Sequence, residues 1–247
     1  MIKFFRRIRR TLLSENKFSK YLLYALGEII LVVIGILLAL QINNWNEQRK
    51  ETEIIEKYVQ RLIEDLNKDL DYYKRRIAED SVHLLEVAKI RDTFINTQSR
   101  ATLKFVLEME LDVNLSELYV SDKTYEEMVS TGILYAIKEK EVREEIQEYY
   151  NWSAINQYYV KATNNDFVEI RQGRFYKYLT IADHLIKKRE SVDHLDLSSF
   201  YEANGANNIQ LQSYLITCYQ LEKTKMDFLK EQMFYAKKLT KILNDSY

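Results

Sequence analysis

Residues 20–50, KYLLYALGEIILVVIGILLALQINNWNEQRK, decide how the rest of the chain is read. Between Tyr21 and Asn46 the one acidic or basic side chain is Glu28, and residues 29–40 are apolar throughout apart from Gly35. At about 1.5 Å per residue, roughly 20 such residues cross the hydrocarbon core of a bilayer. The stretch therefore predicts a transmembrane helix over 21–45. A cleaved signal peptide would share its basic start and apolar core. Against cleavage, the exit LLALQINNWNE offers no small-x-small site, so an uncleaved signal anchor is expected.

The flanks orient it. Lys3, Arg6, Arg7, Arg9, Arg10, Lys17 and Lys20 precede the apolar run, and only Arg49 and Lys50 follow closely. The positive-inside rule places the N-terminus in the cytoplasm and everything after Trp45 outside, in the periplasm of a Gram-negative cell. Tyr21, Tyr24 and Trp45 stand where aromatic rings favour the headgroup level. In residues 1–20, Ile2, Phe4, Phe5, Ile8, Leu12 and Leu13 interleave with the arginines. Two readings stay open for this segment: a short interfacial helix on anionic lipid headgroups, or simply the retention signal of an anchor.

Composition bounds the remainder. With 30% charged and 47% apolar residues, the chain is neither disordered nor built mainly of membrane spans. It contains no proline and five glycines in 247 residues, so breakers are nearly absent and an all-α fold is expected. The net charge of −1 hides a +6 balance in residues 1–20 against −7 in the rest. An acidic outer domain lacks the basic footprint of a nucleic-acid binder. Cys218 is the one cysteine, which excludes an intrachain disulfide and a cysteine-based metal site.

On a helix, Glu28, Val32, Gly35, Ala39 and Ile42 recur at spacings of four and three and share one face. Gly35 and Ala39 form a small-xxx-small pair there, which lets two helices approach closely in lipid. An ionised carboxylate against hydrocarbon is costly, so Glu28 needs a partner or the headgroups. Three uses are open. It snorkels or hydrogen-bonds across a homo-oligomer; it meets a polar site on another membrane protein; or it carries protons in an ion-coupled assembly.

Past the anchor, Ile55, Val59, Leu62, Leu66, Leu70, Tyr73, Ile77, Leu84, Val87 and Ile90 keep a helical rhythm. This predicts a long extracytoplasmic helix over 46–95, possible as a direct continuation of the span, with 96–247 forming a helical bundle packed on it. Residues 103–115, LKFVLEMELDVNL, alternate as a strand would but also repeat every four; a lone strand lacks a partner, so helix is expected. A short helix follows in SDKTYEEMVSTG, capped by Ser121 or Asp122 and ended by Gly132. Further helices are expected from KEKEVREEIQ to FVEI, over about 166–189, and over about 208–244 after the polar link EANGANN.

The first 50 residues, MIKFFRRIRRTLLSENKFSKYLLYALGEIILVVIGILLALQINNWNEQRK, resemble the N-terminal signature of a family of single-pass membrane proteins of Gram-negative bacteria, known only as a domain of unknown function. TYEEMVSTGILYAIKEKEVREEIQEYY is similar to that family's second recurring block. The resemblance implies topology and a helical fold and carries no chemistry.

Nothing in the sequence spells a reaction or a cofactor site. No nucleophile elbow, phosphate loop or zinc-protease motif occurs. His83, His184 and His194 are scattered, and a metal site would require the ADHL and VDHLDL segments to converge. Nineteen tyrosines, with doublets at 72/73, 149/150 and 158/159, suit helix seams and recognition surfaces alike. The expectation is a non-enzymatic scaffold, adaptor or sensor that forms homo-oligomers, the alternative being a subunit of an ion-coupled membrane complex.

Overall fold

A computed structural model of the protein describes residues 18–97, 99, 101, 115–170, 198–202 and 205–247. The expected interfacial segment, with Arg6, Arg7, Arg9 and Arg10, lies outside the described residues. So do residues 103–114, most of the helix expected over 166–189, and His184 and His194. Among the described residues every regular element is helical: α1 Phe18–Thr97, α2 Lys123–Thr131, α3 Ile133–Ala136, α4 Lys140–Ile170, α5 Ser198–Tyr201 and α6 Ala206–Ser246. The fold is all-α, as a chain without proline predicts.

The chain divides into two compact units between Lys57 and Tyr58. The first contains the N-terminal part of α1. Its large apolar side chains from Leu22 to Ile42 are each between 46% and 72% exposed. Among the described residues α1 is the one helix long and apolar enough to cross a membrane.

Among the described residues of the second unit, three long helices, α1, α4 and α6, pack together with heptad spacing. On α1, core positions step alternately by three and four through Val59, Leu62, Leu66, Asp69, Tyr73, Arg76, Asp80, His83, Val87, Ile90 and Phe94. α6 repeats the pattern with buried Asn208, Leu211, Leu215, Cys218, Glu222, Lys225, Leu229, Gln232, Ala236, Leu239 and Leu243. α4 contributes Val142, Ile146, Tyr149, Ser153, Asn156, Val160 and Phe167. A sustained seven-residue repeat keeps one seam of each helix facing its neighbours.

Contacts fix the directions. Glu145, Ser153, Tyr159 and Phe167 of α4 meet Lys238, Gln232, Phe228 and Tyr214 of α6 in descending order, so these helices are antiparallel. Ser81, His83 and Arg91 of α1 likewise meet Met226, Glu222 and Tyr219. α1 and α4 therefore run parallel, which requires the intervening chain to travel back along the bundle. Residues 115–122 do part of this as an extended strap, whose Leu118 and Val120 are buried while Tyr119 points out.

At the strap's end Asp122 occupies the position before α2 without a side-chain cap, and Ser121 turns its hydroxyl to Asp69 instead. The expected side-chain cap is thus replaced by a tertiary bond. Gly132 does end α2 as expected, at φ 79°, with its N–H on the Val129 carbonyl. The link before the last helix is shorter than EANGANN, because Ala206, Asn207 and Asn208 already belong to α6 and Asn208 is buried, donating to the Phe200 carbonyl.

Candidate functional site

α1 carries Glu28, Val32, Gly35, Ala39 and Ile42 along one face, as their spacing requires. Val32 and Ile42 are 57% and 67% exposed, Ala39 is exposed, and Glu28 is half-buried. A Cβ built on Gly35 meets no atom within 4 Å. Among the described residues the small residue therefore serves no packing need and leaves room for another surface. Tyr21 and Tyr24 belong to the same helix, and Trp45 is exposed at its apolar stretch's far end.

In the bundle the polar groups converge in ways the sequence motifs did not announce. Asp69 is fully buried on α1. Its carboxylate accepts the Ser121 N–H at 3.0 and 3.2 Å, the Ser121 hydroxyl at 2.7 Å and the Tyr149 hydroxyl at 3.1 Å. Burial pushes the Asp69 carboxyl above its ordinary range, and the bonds from Ser121 and Tyr149 pull part of the way back. Tyr73 lies 3.4 Å from Tyr149, hydroxyl to hydroxyl, and burial drives both phenols upward, so neither ionises in the physiological range. Tyr150 donates to the Ser121 carbonyl and stacks on Tyr125 at 4.2 Å.

These bonds pin the strap from both sides. Tyr72 donates to the Glu117 carbonyl, Gln157 to Leu118 and Asn164 to Leu115. An extended segment outside any sheet has backbone groups to satisfy, and side chains from two helices satisfy them.

Further along the bundle a charged layer replaces apolar core residues. Arg76 pairs with Asp80 at 3.0 Å and donates to Ser116, while His83 Nδ1 stands 3.7 Å from a Glu222 carboxylate oxygen. Lys225 is buried one turn on; desolvation lowers its affinity for a proton, and Glu222 and Asp80 oppose that. Both helices thus place ionisable groups at heptad core positions. The three–four spacing continued straight through these charged residues, which was the signal available in the sequence; an apolar-only stripe passes over it.

The tyrosine doublets separate by role. Tyr73, Tyr149 and Tyr150 are buried, whereas Tyr158 and Tyr159 are 70% and 53% exposed. Tyr159 stacks on Phe228 and Trp152 on Tyr235, forming an aromatic ladder along the outer α4–α6 seam. Among the described residues no three His, Cys, Asp or Glu side chains assemble into a group able to hold a metal ion.

A family model described as "Family of unknown function (DUF6090)" matches residues 28–204. No curated protein and no solved structure matches the chain.

Proposed function

The chain belongs to this family of unknown function, and from that premise we propose that it is a signal-anchored inner-membrane protein of a Gram-negative cell, acting as a homo-oligomeric scaffold, adaptor or sensor through a periplasmic helical domain. The reading is non-enzymatic. The observation that carries it is the uncovered apolar run of α1, with an open approach at Gly35 on the face shared with Glu28. Lipid or another helix is the solvent such a surface calls for. The bundle supports the reading because, among the described residues, its core is built from this chain's own side chains. The basic N-terminus, outside the described residues, supplies the orientation by charge and an affinity for anionic headgroups.

Crosslinking of the full-length protein in native membranes tests it. Gly35→Ile is expected to weaken self-association while the bundle stays folded; unchanged association removes the proposed seam. A second reading, favoured by Glu28 being half-buried amid exposed apolar neighbours, makes the protein a subunit of an ion-coupled complex. It requires a polytopic partner crosslinked near the span, and recovery of self-linked species alone sinks it.

A further inference from the structure

Buried polar groups are spread unevenly along the bundle. One half holds residues 59–73 of α1, 142–150 of α4 and 233–239 of α6. Tyrosines aside, the buried polar side chains described there and on the adjoining α2 are Asp69 and Thr124. Both are bonded: Asp69 accepts from Ser121 and Tyr149, and Thr124 donates to Asp65. The core around them is apolar, with Leu62, Leu66, Met128, Ile146 and Leu239 at no more than 1% exposure. The other half holds residues 80–94 of α1, 156–167 of α4 and 208–229 of α6. There Asp80, Asn156, Asn164, Asn208, Glu222 and Lys225 are all buried.

The two halves meet at a layer of Arg76, Ser153 and Gln232. Ser153 donates to Gln232 at 3.2 Å, and stepping back along the antiparallel α1 and α6 from the Ser81–Met226 contact brings Arg76 to the level of Gln232. From this layer onward the bonding is incomplete. Arg76 Nε, Asn156 Nδ2, Asn164 Oδ1 and Gln232 Nε2 are enclosed without a hydrogen-bond partner, and His83 Nδ1 stands 3.7 Å from Glu222. Among the described residues no such atom lies in the first half. An enclosed polar atom without a partner has given up water for nothing, so exposing it again is favourable. Opening the first half instead strips Asp69 of its bonds and uncovers an apolar core. We infer that the bundle opens in two stages, the half beyond the Arg76–Gln232 layer opening as a unit while the half around Asp69 stays closed. This goes beyond the interaction-domain reading and holds whether or not the chain self-associates. It gives the domain a closed and a half-open state, the latter uncovering Phe94, Phe167, Leu211 and Leu215, and a ligand that prefers one state shifts the balance between them.

Hydrogen–deuterium exchange of the full-length protein in lipid nanodiscs, read peptide by peptide by mass spectrometry, tests it. Amides of 80–94, 156–167 and 208–229 are expected to share one level of protection, lower by about tenfold or more than that of 59–73, 142–150 and 233–239. The change should fall as a step at the Arg76–Gln232 layer. Asn156→Leu removes one enclosed amide and Gln232→Met another, with Ser153 keeping its bond to the Tyr149 carbonyl at 2.7 Å. Each should raise protection of the second half about tenfold and leave the first half unchanged. Exchange that quickens gradually towards the helix ends, with no step at the layer, is fraying and overturns the proposal. So does a single level of protection throughout, or a step that neither substitution moves. Because Gly35→Ile crosslinking reads the span alone, failure of two-stage opening and failure of the homo-oligomer are separate results.

Discussion

Two stretches of the single helix α1 obey opposite rules. From Leu22 to Ile42 the large apolar side chains are all at least 46% exposed, with one carboxylate among them, whereas from Val59 to Phe94 the helix buries Asp69 and Asp80 and exposes Val82 and Leu85. Periodicity separates them. The first stretch is apolar all round apart from Glu28, and it is long and apolar enough to cross a membrane. The second has one seam, and position on that seam, rather than polarity, decides which residues go inside. Asp69 is buried because the seam passes through it and donors from Ser121 and Tyr149 meet it there.

The contrast breaks most directly with a matched pair. Phe94→Ala, which empties a fully buried site, should cost about 3–5 kcal/mol of bundle stability in denaturant unfolding followed by circular dichroism. Ile36→Ala should leave the same transition in place; equal losses would mean that the apolar run is packed within the protein after all.

The charged layer sharpens it next. Glu222→Leu alone removes one of the two carboxylates, Glu222 and Asp80, that offset the burial of Lys225, and should cost roughly 3 kcal/mol. The double change Glu222→Leu/Lys225→Leu should restore stability to within about 1 kcal/mol of wild type or exceed it. A double variant as unstable as the single one would show that these charges do more than tolerate burial.

Removing the carboxylate that organises the strap, in Asp69→Ala, should cost about 2–3 kcal/mol, because the Ser121 N–H and Tyr149 hydroxyl lose their acceptor inside the core. Its titration has a defined sign. The folded-state pKa of Asp69 is raised above the ordinary 3.8, so its proton-linked stabilisation is complete below that value and is lost as pH rises through the folded-state value. Relative to wild type, Asp69→Asn should therefore gain stability with rising pH across that window, read from unfolding midpoints; a pH-independent difference contradicts the assignment. The smallest effect belongs to Gly132→Ala, about 1 kcal/mol, from forcing a Cβ into the left-handed conformation that ends α2. Gly132→Asn should cost less.

Much of this architecture is legible without coordinates. The apolar run, the seam beginning at Val59, the end of α2 at Gly132 and the helix from Lys140 to Ile170 all follow from local rules of periodicity, capping and missing breakers. The face shared by Glu28, Val32, Gly35, Ala39 and Ile42 was equally legible, since helical spacing alone defines it. The bundle's polar interior was not. Ser121 looked like a helix cap because capping is a local option, and it bonds Asp69 because a carboxylate 52 residues earlier is brought within 2.7 Å. The Tyr158/Tyr159 doublet read the same as Tyr149/Tyr150 on paper, yet only the latter falls on the buried side.

The sequence by itself determined that the chain is helical, that one stretch is apolar enough for a bilayer and that α2 ends at Gly132, because those outcomes depend on neighbours within a few residues. Only the tertiary structure decided that α1 and α4 run parallel with α6 against them, that a strap of chain is held by side chains from two helices, and that ionisable residues fill a layer of the core. Each of those depends on pairing between groups tens to more than a hundred residues apart, and the free energy of a buried polar group is set by the partner it meets, which no local pattern records.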